Sequence, residues 1–124
     1  MLRFSAAALL LLCAACGDAL PTLDGLDTER WRADKNACLG YRREMEPALS
    51  HEKDKLKGLS EMDVVELLGR PDKNELYKRN QKFFCYYVSP GPDCDKSVEQ
   101  PVQLIIRFNA MGYAQLVSVG THEP

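Results

Sequence analysis

A fifteen-residue segment in the middle of the chain spells out a helix with both of its ends: Gly58-Leu59-Ser60-Glu61-Met62-Asp63-Val64-Val65-Glu66-Leu67-Leu68-Gly69-Arg70-Pro71-Asp72. Ser60 can accept the backbone N–H three residues on. Asp63 can reach back to complete a capping box, and Leu59 with Val64 holds the staple positions around the cap. Gly69 offers the left-handed residue that closes helices, and Pro71 forbids continuation. Val64, Leu67 and Leu68 fall on one side and face inward. So short a helix is stable only against a partner layer.

That layer is written in the next fifty residues as four strand-like runs. Residues 75–79 are polar and suit an edge, Asn80-Gln81 turns the chain, and residues 82–89 carry the aromatic run Phe83-Phe84-Cys85-Tyr86-Tyr87-Val88. Pro90-Gly91-Pro92-Asp93-Cys94-Asp95 cannot sit inside a sheet, so residues 90–101 form a loop. Alternation over 102–108 places Val102, Leu104, Ile106 and Phe108 on one face and Gln103, Ile105 and Arg107 on the other. Asn109-Ala110-Met111-Gly112 turns the chain into residues 113–120. There strict alternation sets Ala114, Leu116 and Ser118 against Tyr113, Gln115, Val117 and Val119.

Upstream, a helix is expected from Asp27, whose carboxylate can cap it while Leu26 and Trp31 staple it. Trp31, Cys38 and Met45 recur at seven-residue spacing, with Ala37, Tyr41 and Ala48 widening the stripe. Pro47 should break or restart this helix, and the mixed charges of residues 50–55 read as solvated. Helices before a meander predict an α+β two-layer sandwich, two or three N-terminal helices packed on a four-stranded antiparallel meander. The expected division is a leader over 1–15, a flexible tether over 16–26, one domain over 27–120 and a frayed end over 121–124.

The leader is a short apolar run after Arg3, ending in Cys13-Ala14-Ala15-Cys16 and followed at once by Gly17-Asp18. The run falls short of the roughly 20 apolar residues that span a bilayer. It resembles the lipobox of bacterial lipoproteins, which implies a diacylglyceryl group on the Cys16 thiol and cleavage before it. The alternatives are a secretory signal cleaved near Ala15 and an uncleaved anchor. No cofactor is expected beyond this covalent lipid. Contact with the membrane would run through the acyl chains, each buried methylene contributing about 0.8 kcal/mol.

Three thiols then remain in an oxidising compartment, Cys38, Cys85 and Cys94, which implies one pair and one spare. Cys85 lies in the aromatic strand, where a thiol behaves as a small hydrophobe. Cys38 and Cys94 lie in polar surroundings and are the favoured disulfide. The pair Cys85 with Cys94, closing a small loop, stays open at this level.

Chemistry is scarce. His51 stands in a charged stretch and His122 near the C-terminus, and no metal-binding, nucleophile-elbow or phosphate-loop motif occurs. Asp93-Cys94-Asp95 offers too few oxygens for calcium. With 16 basic and 18 acidic side chains, interleaved rather than clustered, the formal charge of −2 argues against nucleic acid as a partner. Arg42-Arg43 and Lys78-Arg79 read as solvated faces, with anionic lipid headgroups as the sharper alternative. Tyr86, Tyr87 and Tyr113 are the candidate protein-binding surface, provided they share the open face of the sheet.

The pattern Gly58-Leu59-Ser60, Val64-Val65, Leu67-Leu68-Gly69, Pro71-Asp72 followed by strands resembles the BamE-like (SmpA/OmlA-like) domains of small outer-membrane lipoproteins, over roughly residues 58–119. The stretch from Trp31 to Cys38 and the loop cysteine are foreign to that pattern. The resemblance implies adhesion to another protein: a lipid-anchored factor at the outer membrane, periplasmic side, serving envelope maintenance or assembly rather than catalysis. The rival readings are a thiol-based redox protein using Cys85 or Cys94 and a structural lipoprotein without a specific ligand.

Overall fold

In the computed structural model, which describes residues 19–121, four short helices precede a four-stranded antiparallel sheet. The helices are α1 (Thr28–Ala33), α2 (Tyr41–Glu44), α3 (Glu46–Glu52) and α4 (Glu61–Leu68). The strands are β1 (Lys73–Tyr77), β2 (Gln81–Tyr87), β3 (Gln103–Phe108) and β4 (Ala114–Gly120), adjacent in chain order. This is the expected α+β arrangement of helices and meander. The leader, Cys16 and His122 lie outside the described residues.

α4 follows its sequence closely. The Ser60 hydroxyl accepts the Asp63 N–H at 3.1 Å and the Asp63 carboxylate accepts the Ser60 N–H at 3.4 Å, the reciprocal capping box. Val64, Leu67 and Leu68 are buried against the sheet. The helix ends at Gly69 with φ 82° and ψ −177°, positive as expected, yet with extended ψ. That region is essentially glycine's alone. Arg32 crosses from α1 to satisfy the end of α4, donating to the carbonyls of Leu67 (3.0 Å) and Glu66 (3.3 Å).

The long upstream helix does not form. α1 starts as expected, Asp27 accepting from the N–H groups of Glu29 and Arg30, but stops at Asp34. The buried Asp34 carboxylate accepts the N–H groups of Leu39 (2.6 Å) and Arg42 (2.9 Å), holding the chain in a reversal. Asn36 and Ala37 adopt left-handed φ of 58° and 57°, and Gly40 φ 87°. An aspartate that competes for backbone donors thus overrides the heptad-spaced apolar stripe. Pro47 restarts the path, sitting in the first turn of α3.

Two further expectations are corrected. From Leu20 onward the tether belongs to the domain, for Leu23 is 3% exposed and Leu20 and Leu26 pack against the same core. In the charged stretch Glu52 is buried. It accepts the Asp24 N–H at 2.8 Å and pairs with Lys55 at 3.1 Å.

The main core lies between the layers, where Trp31, Leu49, Leu56 and Leu68 meet Phe84, Tyr86, Leu104 and Ile106. The β1–β2 hairpin closes through Lys78–Asn80, with Arg79 and Asn80 at φ 60° and 61°, so β1 begins and ends two residues earlier than its polar run suggests. A bulge in the β3–β4 pairing sets Arg107 opposite Leu116 and Phe108 opposite Ala114, leaving Gln115 as the extra residue. Ala114 therefore joins Val117 in the core, where unbroken alternation would have parted them.

Candidate interaction surface and the buried junction behind it

The three predicted tyrosines do not form one patch. Adjacent strand residues point to opposite faces, so Tyr86 and Tyr87 cannot share one. Tyr86 is fully buried under the helices, its hydroxyl donating to the Gly69 carbonyl at 2.7 Å and its ring 6.2 Å from that of Trp31. Burial drives its pKa well above the ordinary phenol value. Tyr87 is buried on the other face, close beneath Gly91, where an added Cβ would come within 2.6 Å of the ring. Desolvation raises its pKa too. Tyr113 alone is open to solvent, at 49% exposure.

The face away from the helices carries a small apolar cluster of Phe83, Cys85 and Ile105, made of sheet residues alone. Register extends it. Tyr77 stacks edge-on against Phe83 at 5.0 Å between centroids, Arg107 lies opposite both Phe83 and Leu116, and Tyr113 points to the side opposite the core residue Ala114. Tyr77 and Leu116 are 42% and 46% exposed. The Gln81 Oε1 and Arg107 Nε atoms are buried without a hydrogen-bond partner. Two open rings and an exposed leucine give the rim of this face the anchors on which a partner could dock.

At the far end of the same face, the loop of residues 90–101 borders a polar cavity of about 400 Å³ lined by Lys73, Tyr87, Glu99 and Gln103 among others. Cys38 and Cys94 are joined as a disulfide, Cα to Cα 5.4 Å, fastening this loop to the turn after α1. Cys85 is unbridged and buried. Asp95 turns its carboxylate to the Ser97 N–H and hydroxyl, and among the described residues there is no metal-binding group of three or more His, Cys, Asp or Glu. His51 is exposed.

The strongest electrostatic feature is one that sequence reasoning assigned to solvent. Arg42 is 1% exposed and its Nη1 meets the Asp72 carboxylate at 2.7 Å. The guanidinium also donates to the carbonyls of Trp31 (3.0 Å) and Tyr87 (3.2 Å), and lies 4.6 Å above the Trp31 ring. Asp72 in turn accepts the N–H groups of Asn36 (3.0 Å) and Tyr87 (2.8 Å). One ion pair so joins α2, the turn after α1, the segment after α4 and the end of β2. A signal was present: Cys38, Arg42, Met45 and Leu49 follow helical spacing, which puts a cation on the apolar stripe, where it needs a carboxylate. Arg43, by contrast, is exposed, as are Lys78 and Arg79.

Comparison with models of protein families, with curated proteins and with solved structures finds no match for this chain. No helix among the described residues is long and apolar enough to cross a membrane.

Proposed function

We propose that this is a lipid-anchored envelope protein, held through Cys16 at the periplasmic side of the outer membrane, whose domain binds another protein on the open sheet face. The partner would be part of outer-membrane maintenance or assembly, in keeping with the resemblance to BamE-like domains. The observation that carries binding is the exposed rim of that face: Tyr77, Leu116 and Tyr113 are half exposed around a buried, sheet-only apolar cluster. Interface hot spots are built on such aromatic anchors. The Cys38–Cys94 disulfide accords with an oxidising compartment, and the lipobox-like run supplies the anchor.

The test is photocrosslinking in cells, with a benzophenone amino acid placed in turn at Tyr113, Leu116 and, as a control away from the sheet, at the exposed Leu39. Adducts of defined mass are expected from the first two positions and not from the third. With the probe at Tyr113, Leu116→Arg should remove the adduct while leaving the melting temperature within a degree or two. Equal crosslinking from Leu39, or none from the sheet, would reject the assignment.

A further inference from the structure

The packed N-terminal segment bears on how the domain stands on its membrane. Leu20 and Leu26 pack against the core and Leu23 is buried within it. The Lys55 ammonium donates to the Thr22 carbonyl at 3.2 Å, and the Asp24 N–H donates to Glu52 at 2.8 Å. The leash between Cys16 and the domain is therefore four residue steps, to Leu20, a reach of about 14 Å when fully extended. A domain of about 100 residues has a radius of gyration of about 13 Å. A leash much shorter than the domain's diameter, roughly twice that radius, prevents it from turning over.

Resting on the reading that Cys16 is acylated, we infer that the lipid headgroups are a docking surface for one defined side of the domain: α3 and the turn Lys53–Leu56, beside which the leash emerges. Both elements pack against β4. Strand order puts β1 at the opposite edge of the sheet, three inter-strand spacings or about 14 Å further away. The hairpin carrying Lys78 and Arg79 is therefore held further from the docked side than β4 is. On the docked side Lys53, Lys55 and Lys57 are each matched locally, by Asp54, by Glu52 with Asp24, and by Asp54 again. A patch so nearly neutral is held by the leash rather than by long-range attraction, and its orientation should vary little with salt.

The test uses the full lipidated protein in phosphatidylethanolamine–phosphatidylglycerol nanodiscs containing a gadolinium-chelating lipid, reading paramagnetic broadening of each backbone amide. Amides of residues 51–57 should broaden at least several-fold more than those of residues 75–82. A companion variant carries about twenty Gly/Ser residues after Gly17, an added reach of about 25 Å, and should lose most of that contrast. Mass spectrometry of the N-terminal peptide separates the two ways of failing. Lack of an acyl mass on Cys16 would overturn the anchor and this orientation together, whereas an acylated protein with equal or reversed broadening would overturn the orientation alone. Contrast that survives the insertion would overturn the leash as its cause.

Discussion

Replacing Arg42 by Met keeps most of the side-chain volume and removes the charge, which isolates what the buried junction contributes. Asp72, with a side chain 4% exposed, would keep its two backbone donors and lose the guanidinium 2.7 Å away. The carbonyls of Trp31 and Tyr87 would lose the donors now at 3.0 and 3.2 Å. Breaking a buried pair from one side costs about 3–5 kcal/mol, and a buried acceptor left unpaired costs about 1–3 kcal/mol. Because these losses overlap, the expected total is about 4 kcal/mol, a large fraction of the 5–15 kcal/mol typical of a whole domain. Urea titration under oxidising conditions should show this loss with an unchanged slope, and calorimetry a melting temperature lower by roughly 15–30 °C. Adding Asp72→Asn to Arg42→Met should recover about 1–2 kcal/mol relative to the sum of the singles, since the amide oxygen still accepts backbone N–H groups with no charge left buried. A loss under about 1 kcal/mol for Arg42→Met would refute the reasoning, showing that water or a rearranged Asp72 replaces the guanidinium without cost.

Gly69→Ala should destabilise by about 1–3 kcal/mol, because φ 82° with ψ −177° excludes a Cβ that would also meet Arg32 Cγ at 3.1 Å; a neutral result in thermal melts would show the backbone relaxing there. Cys38→Ser should cost about 2–5 kcal/mol and Cys85→Val little, and non-reducing peptide mapping should recover Cys38 linked to Cys94; a linked peptide containing Cys85 would contradict the structure. The hydrogen bond from Lys55, offset in part by desolvation, lowers the Glu52 pKa below its ordinary 4.5, so its stabilisation is complete above that value and lost as pH falls through the folded-state pKa. Glu52→Gln should accordingly flatten the melting temperature against pH as pH falls below the ordinary 4.5, and parallel curves for the two proteins would remove Glu52 from the acid transition.

What was legible in the sequence, and what was not, divides along a physical line. α4 could be read with its caps because Ser60, Asp63 and Gly69 act within one turn of their own backbone, and β2 and β3 could be read because their side chains alternate between two buried faces. The α1–α2 break was not legible, since it depends on Asp34 finding the N–H groups of Leu39 and Arg42, a choice no helical periodicity records. The packing of Leu20 and Leu23 was hidden by the glycine, proline and aspartates around them, whose local preference for turns is compatible with a turn that is itself docked. Of the three tyrosines expected on an open face, Tyr113 is exposed and Tyr86 and Tyr87 are buried. Strand alternation alone separates the last two, whereas Tyr77 and Leu116 became visible only through the hairpin register and the bulge at Gln115.

The position of the Arg42 junction also explains why the loop of residues 90–101 can border a surface without a core of its own. That loop is rich in proline, glycine and charge, and three fastenings hold its approach: the Cys38–Cys94 bridge, the Gly91 N–H on the Asn36 carbonyl at 2.9 Å, and the Tyr87 backbone gripped by both Arg42 and Asp72. A disulfide closing so long a loop contributes about 4 kcal/mol in the chain-entropy model, yet it leaves torsional freedom on either side. Apolar packing could replace the ion pair at little cost in stability, but dispersion contacts are not directional and would let the end of β2 slide against the turn after α1. Hydrogen bonds from one guanidinium to two carbonyls, and from two N–H groups to one carboxylate, fix the relative position of these segments in all three directions. On that argument Arg42 and Asp72 hold the loop end of the open face in place, and Arg42→Met combined with Asp72→Leu could restore stability while leaving the cavity between Tyr87 and Glu99 misshapen.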